Sequence, residues 1–332
     1  MNRLGFAVKV LGRSDLKSHD TRRWQSAPHL SVSLGYLRQV LAYLGQMHIR
    51  MYRFSSDLAP YLTHPDLPQF HRQLDECESE LAAVGALART LDVRLSVHPG
   101  QFVVLNSLQE HVAANSAADV IAFAHMLDLM GLGPEGVMVL HGGSGAGAPH
   151  DLSAGRGVPG AEGKEAAIER LVRAFSALPE ETRRRVVLEN DETVFTVPDL
   201  LQVHEATGVR LIFDLLHFQN NNPEGLGALE ALRATLATWP AEQTPKIHLS
   251  TPRTAMDTQE KKGQAPTITA PDWKRHSDYM DPFATQEFLR AVLVAGLRPF
   301  DIMLEAKGKD VALLQLRKDF TRFAPELSQV WD

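Results

Sequence analysis

Short apolar runs recur along this chain, with helical stretches between them. Residues 4–10, 48–54, 93–97, 137–140, 186–188, 209–213, 246–249 and 302–304 read as eight strands. Between them, apolar residues fall at helical spacing over 34–44, 69–91, 115–130, 166–177, 197–206, 228–236 and 285–295. Asn115 and Asp199 read as helix-start residues. Alternating strand and helix predicts an α/β fold with a parallel sheet. Eight such units predict a closed TIM (β/α)₈ barrel, one domain over residues 1–332. A doubly wound open sheet is the structural alternative. Two segments lack periodicity: 144–163, rich in Gly, Ala and Pro, and 252–271, polar with Lys261 and Lys262 near its centre. Both follow strands, which places them as βα loops at the catalytic end of a barrel.

The polar residues that break these runs stand at their ends. His98, His141, Glu189, Asp214, His248 and Glu305 each close or immediately follow a predicted strand. In a barrel those ends converge on one mouth. A buried strand end rarely tolerates a carboxylate or imidazole without a partner or a metal. Period-two alternation sharpens the expectation. Lys246 and His248 share one face of their strand while Ile247 and Leu249 share the other. Val187 pairs in the same way with Glu189, and Val139 with His141, apolar deep and polar at the rim. Asp214 and His217, three apart at a strand-to-loop turn, are placed to reach one ion. A set of His, Asp and Glu without cysteine suits Mn²⁺, Zn²⁺ or Fe²⁺ in a working site rather than structural zinc. Several ligands of each kind imply two or three ions. Clustered divalent metals hold a phosphate, acidify water and stabilise a leaving oxygen. Any one strand-end histidine is more often a satisfied core residue than a ligand; six such strand ends in order are hard to assign to packing.

Composition adds limits. The 332 residues are 44% hydrophobic and 22% charged, an ordinary globular balance. The single cysteine, Cys77, excludes a disulfide framework within the chain and fits a reducing cytoplasm. Lying among Glu76, Glu78 and Glu80, it reads as inert. No apolar run is long enough to span a membrane, and the N-terminus lacks the pattern of a signal peptide, so the expected location is cytoplasmic. A net charge of −6 argues mildly against a nucleic-acid partner. A local basic face can nevertheless sit on an acidic protein. Candidates for phosphate contact after the late strands are Arg253, Lys261, Lys262, Lys274, Arg275, Lys307 and Lys309. Gly142 and Gly143 could let a phosphate approach main-chain amides.

At these residues the chain resembles the UV damage endonuclease family. The matching segments are Leu4-Gly5-Phe6, Arg53-Phe54-Ser55-Ser56 with His64, His98-Pro99-Gly100-Gln101-Phe102, His141-Gly142-Gly143 and Leu188-Glu189-Asn190-Asp191. They continue with Asp214-Leu215-Leu216-His217, Lys246-Ile247-His248-Leu249-Ser250, His276-Ser277-Asp278-Tyr279 and Leu304-Glu305-Ala306-Lys307. The segments run in order over residues 4–307. The resemblance implies a TIM barrel similar to endonuclease IV. It also implies a nick in double-stranded DNA on the 5′ side of cyclobutane pyrimidine dimers and 6-4 photoproducts, leaving a 3′-hydroxyl and a 5′-phosphate. It implies a metal cluster, usually manganese, with Zn²⁺ or Mg²⁺ as alternatives. Carried over, the metal ligands are His98, His141, Glu189, Asp214, His217, His248, His276 and Glu305, with His64 close by. Lys246 matches a lysine that can be carboxylated. Glu189, Lys246 and Glu305 are the candidate catalytic residues. Gln101 and Phe102 are expected to wedge into the duplex, and Phe6, Arg253, Lys274 and Lys307 to contact DNA. Phe6 and Phe102 stand where some relatives carry tyrosine, which keeps a stacking face but loses a hydroxyl. No obligate protein partner is implied. Two rival readings share the barrel and the ligand chemistry: an abasic-site nuclease of the endonuclease IV type, and a sugar isomerase or epimerase of the xylose isomerase type.

Overall fold

The computed structural model describes residues 2–144, 163–259, 263 and 265–331. Among the described residues ten strands form: β1 (Leu4–Ala7), β2 (Met51–Phe54), β3 (Arg94–Val97), β4 (Met138–His141), β5 (Val186–Glu189), β6 (Arg210–Ile212), β7 (Lys246–Leu249), β8 (Asp257–Gln259), β9 (Thr267–Thr269) and β10 (Asp301–Leu304). Eight of them pair in parallel in the order β6-β5-β4-β3-β2-β1-β10-β7. The ring is completed between β6 and β7, where Asp214 bridges His248 and the His248 N–H donates to the Phe213 carbonyl at 3.0 Å. This is the expected (β/α)₈ barrel; the open-sheet alternative fails at that seam.

Alternation sorts the side chains. Leu4, Phe6, Leu95, Val97, Leu140, Leu188, Leu211, Ile247, Leu249, Ile302 and Leu304 point outward and join the helices in one large core. Inward, Val137, Val139, Val187 and Ile212 pack with Trp239, and Ala7 packs with Met51 and Met303. These two small apolar clusters separate a polar floor from a polar mouth. At the floor, Arg94 pairs with Asp301 at 2.9 Å, and the guanidiniums of Arg94 and Arg210 both lie over the Trp239 ring. At the mouth stand the strand-end residues singled out from the sequence.

Several local expectations are corrected. The helix expected over 69–91 is divided into a 3-10 turn at Pro68–Phe70 and helices Gln73–Glu76 and Glu78–Thr90. Pro68 opens the first turn, and the buried Gln73 amide is held by Leu30, Pro60 and Phe70 backbone groups. Asn115 lies inside the helix Glu110–Leu129 rather than at its start. Asp199 is the third residue of its helix, locked in a capping box with Thr196. The segment 252–271 is not wholly irregular, since β8 and β9 pair within it as an antiparallel hairpin. A helix absent from the sequence reading spans Lys309–Phe323, where Ala312, Leu313, Leu316 and Phe320 bury one stripe of a highly charged stretch. The unusual length expected of the 144–163 loop concerns residues that lie almost entirely outside the described ones, as do Lys261 and Lys262. Cys77 is buried and free, and burial raises its thiol pKa, as an inert thiol requires. Among the described residues no helix is long and apolar enough to cross a membrane.

Two carboxylates fasten the loop that follows β1 at the mouth. Asp310 accepts from the backbone N–H groups of Leu11 and Gly12 and from the Tyr43 hydroxyl. Asp20 accepts from the Arg22 side chain and from the His29 N–H. The Arg22 guanidinium, helped by those N–H groups, holds the Asp20 carboxyl down at about 2. A depressed carboxylate contributes stability above its unfolded pKa, near 4, and loses it as the pH falls toward the folded value. Asp20→Asn should therefore lower the urea midpoint at pH 6, with the difference from wild type narrowing between pH 4 and pH 3. Urea titrations at those three pH values check this; a difference that stays constant would remove Asp20 from the acid sensitivity.

Candidate metal centre

The mouth gathers eight of the residues expected there. Glu189, at the end of β5, is fully buried at the centre. Its Oε2 lies 3.2 Å from His98 Nε2 and 3.9 Å from His141 Nε2. Its Oε1 lies 2.7 Å from His248 Nδ1 and 3.5 Å from His217 Nδ1. Glu305, following β10, lies 3.4 Å from His248 Nδ1 and 3.6 Å from His276 Nε2. Two sets of ligand atoms each fall within 4.8 Å of one another: His98, His141 and Glu189; and Glu189, Asp214, His248 and Glu305. Glu189 belongs to both.

The histidines are oriented from behind. His98 Nδ1 donates to the Pro99 carbonyl at 3.0 Å, and His217 Nδ1 to the Asn190 carbonyl at 3.0 Å. His276 Nδ1 is bonded to the Ser250 hydroxyl at 2.7 Å. Each Nδ1 that is so engaged turns its Nε2 toward a carboxylate: Glu189 for His98, Glu192 for His217 at 3.6 Å, Glu305 for His276. Two acceptors face each other at 3.2 Å in the case of His98. Such a contact is favourable only with a proton or a cation between them. Fixing one ring nitrogen so that the other can ligate is how proteins prepare histidine for metals.

Charge is distributed unevenly. Burial pushes the Glu189 carboxyl up, but His248, His141 and His98 outweigh it and hold it well below the usual range. Burial also acts on Glu305, and Arg53 and His248 overcome it. Asp214 has less help. Burial, with Glu189 and Glu305 alongside, raises it to about 8 against the pull of His217. Burial opposes charge on His217, yet Asp214, Glu189 and Glu192 bring it up to about 9. Burial lowers His248, and lowers His276 to about 4. Asp214 Oδ2 and His248 Nε2 are buried with no hydrogen-bond partner. Buried orphan acceptors are costly and call for an explanation. Two of them beside a pair of ionised glutamates fit one or more divalent cations, and the His/Asp/Glu donor set fits the same ions.

Below the cluster, Lys246 is buried inside the barrel and donates to the Ser96 hydroxyl at 2.9 Å. Burial, with Arg94 and Arg53 nearby, drives its amine well below the usual lysine range. Its inward face was expected from the alternation with Ile247.

Other expected residues fall elsewhere. Phe6 is a correction: it lies on the outer face of β1, fully buried, edge-on to Tyr52 at 5.4 Å, and cannot touch DNA. Alternation explains this, because Gly5 and Ala7 take the inward positions. His64 is exposed and its contacts are local, accepting from the Asp66 N–H and lying edge-on to Tyr61. Neither set of clustered ligand atoms includes it. Gly142 and Gly143 are required by packing, since a Cβ would fall 2.3 Å from the Phe195 ring and 2.3 Å from Asn106 Oδ1 respectively. Arg253 pairs with Asp257 at 2.8 Å, and Arg275 with the same carboxylate at 3.2 Å. Lys274 and Lys307 are exposed. Gln101 and Phe102 occupy an exposed turn just beyond His98, with Phe102 80% exposed.

Some participants had no assigned role in the sequence reading. Arg53, one charged residue on the inward face of an apolar strand, forms an ion pair with Glu305. Asn190 ties the end of β5 to β6: its side chain donates to the Asp214 carbonyl at 3.0 Å and accepts from the Asp214 N–H at 2.9 Å. Glu192 and Ser250 face His217 and His276. Only the inward position of Arg53 was open to discovery from alternation.

Comparison with known proteins bears on this arrangement. The model of the UV-endonuclease UvdE family matches residues 29–330. A UV DNA damage endonuclease of Bacillus velezensis is 30% identical over 278 residues, covering 82% of this chain and 75% of that protein. One from Halalkalibacterium halodurans is 28% identical over 87% of this chain and 79% of its own length. The crystal structure of SacUVDE superposes with a TM-score of 0.75 at 27% identity, covering 97% of this chain and 99% of that one. A 3-keto-D-glucoside 4-epimerase from E. coli, at 13% identity and a TM-score of 0.55, shares the barrel alone. With a family match over nine-tenths of its length, this chain belongs to the UV-endonuclease UvdE family.

Proposed function

We propose that this chain, acting as one nuclease domain, nicks double-stranded DNA 5′ of UV photoproducts by metal-dependent hydrolysis. The products would be a 3′-hydroxyl and a 5′-phosphate. The observation that carries this reading is the buried Glu189 carboxylate, shared by two groups of ligand atoms and surrounded by imidazoles aimed at it. Manganese is the ion proposed, with zinc or magnesium as alternatives, in a cluster of two or three. His98, His141 and Glu189 would hold one ion, and Glu189, Asp214, His248 and Glu305 another, with His217 and His276 completing the set. Ions so held neutralise charge on a phosphodiester and acidify water. The protein's own part is to keep Glu189 and Glu305 ionised and to fix the histidines through Pro99, Asn190 and Ser250. Burial drives the Lys246 amine well below the usual lysine range, which favours uptake of carbon dioxide; as a carbamate it would add a carboxylate beneath the cluster.

Lesion recognition is assigned to Gln101 and Phe102. A poorly stacked photoproduct is easier to extrude than a normal pair, and an apolar wedge can fill the gap. The exposure of Phe102 supports this role, because the ring is not used in packing. Lys274 and Lys307, exposed at the mouth side, and Arg253 beside Asp257 remain candidates for backbone contact.

Nicking of UV-irradiated supercoiled plasmid in manganese tests the reading directly. Duplexes carrying an abasic site and a panel of ketose sugars serve as the competing substrates. Preference for the abasic duplex, or turnover of a sugar alone, would replace the proposal with one of its rivals. Glu189→Gln should reduce nicking below detection while leaving the circular dichroism spectrum unchanged; retained activity would reject its role. Manganese at about a hundred-fold excess over its Kd should stabilise the wild-type fold by about 2.7 kcal/mol, and the chelated protein should melt earlier. A melting temperature indifferent to manganese and to chelator would count against the metal centre. Replacing both Gln101 and Phe102 with alanine should weaken binding to irradiated duplex by about 1–3 kcal/mol, the scale of lost base stacking, with little change on undamaged duplex. Equal affinity in the double variant would exclude the wedge.

A further inference from the structure

We propose that Lys309, flanked by Lys9 and Lys307, forms a seat for a DNA backbone phosphate beside the metal centre, at the junction of the β1 and β10 ends. This inference rests on the DNA reading above and names a contact that reading leaves open.

The backbone holds the turn that carries Lys307 and Lys309 against the loop that follows Lys9. Residues 305–308 form the turn between β10 and the helix Lys309–Phe323. On one side, the N–H groups of Lys307 and Gly308 donate to the Ser277 and Asp278 carbonyls at 2.9 and 2.8 Å, fastening the turn to the segment that carries His276. On the other, the fully buried Asp310 carboxylate accepts from Leu11 and Gly12, two and three residues beyond Lys9. The turn is thus held between a metal-facing segment and the β1 loop. Gly308 admits no side chain, since a Cβ would fall 2.6 Å from the Asp278 carbonyl oxygen.

Two residues at this junction hold left-handed backbone: Val8 with φ 67° and Lys309 with φ 52°. For a β-branched residue such as Val8 this is a true outlier. The Val8 N–H donates to the Arg53 carbonyl at 2.8 Å, and the Tyr52 hydroxyl donates to the Val8 carbonyl at 2.6 Å, so the strain is enforced from β2. Strain of this kind persists where surrounding structure demands it, and it gathers at binding sites.

The charge at the junction is unbalanced. Burial, then Arg53, Lys307 and Lys9, work against the Lys309 ammonium, and among the charges acting on it only Glu305 favours it; the amine falls to about 8. Arg53 is already paired with Glu305, and Asp310 is consumed by backbone and tyrosine donors. The Lys309 ammonium has no hydrogen-bond or ion-pair partner among the described residues. Like charges held together by a rigid, strained backbone are relieved by an anion. The phosphodiester of a strand whose neighbouring phosphate lies at the metals is such an anion. Loops after the last strands of TIM barrels commonly bind phosphate.

The test uses fluorescence anisotropy of the full-length protein in EDTA, on UV-irradiated and unirradiated duplex, across a series of salt concentrations. Lys309→Gln should reduce the slope of log K against log[salt] by about 0.9, the loss of one phosphate contact, on both duplexes alike. Lys309→Arg should keep the wild-type slope. Lys318→Gln, which removes the same charge from an exposed position in the same helix, should also keep it. In plasmid nicking, Lys309→Gln should raise KM several-fold and leave kcat within about two-fold, as expected for lost uniform binding. An unchanged slope in Lys309→Gln, in a protein that still nicks irradiated DNA, would overturn the seat while sparing the nuclease reading. A loss confined to irradiated duplex would overturn the phosphate assignment, because backbone contact carries no lesion information. Failure of the wild type to bind or nick DNA would instead reject the reading on which the seat depends.

Discussion

A carboxylate buried among imidazoles is the interaction on which this structure turns. Glu189 has lost water on every side, and its charge survives only because His98, His141, His217 and His248 surround it. Those rings are themselves buried or half-buried, and the Pro99 and Asn190 carbonyls fix His98 and His217 in place. The result is a set of acceptors and weakly protonated bases packed closer than neutral groups would choose. A cation resolves that conflict for all of them at once. Without one, burial raises Asp214 and lowers His248 and His276, while Asp214 and the neighbouring glutamates raise His217.

The barrel makes such a concentration tolerable. Its outward face carries the large apolar core, apart from the polar mouth. Inside, two small apolar clusters separate the metal-facing groups from the arginines and Asp301 at the floor. Lys246 occupies the space between, desolvated and depressed, bonded to Ser96. The polar interior is thus divided into a structural end, where Arg94 and Arg210 engage Asp301, carbonyls and Trp239, and a functional end, where the orphan acceptors Asp214 Oδ2 and His248 Nε2 remain. That contrast separates two groups of buried charge that look alike in composition. It also answers the objection raised by a net charge of −6: the acidic balance of the whole chain coexists with lysines gathered at one edge of the mouth.

The legibility of the sequence followed the range of the physics involved. Period-two alternation is local, so it correctly assigned Lys246 and His248 to the interior and Ile247 and Leu249 to the helices. The same rule applied to Leu4-Gly5-Phe6 would have placed Phe6 outside; resemblance to tyrosine-bearing relatives pointed the other way, and the structure follows the alternation. His64 was carried by a motif rather than by a strand position, and it remains at the surface. The helix Lys309–Phe323 went unread because its charge hides a narrow apolar stripe, and Gln69–Leu91 read as continuous because a break at Cys77 leaves the spacing of its leucines intact.

The sequence by itself determined the eight barrel strands with helices between them, the parallel barrel, and the identity of the residues at the strand ends, because each depends on the period of side chains along one element. Tertiary structure alone decided which of those residues share an ion-sized space, which ring nitrogen each histidine presents, and that Arg53, Asn190, Glu192 and Ser250 stand behind them. Those outcomes depend on distances between strands far apart in the chain, set by barrel closure and by hydrogen bonds such as Asn190 to Asp214, and no local pattern records them.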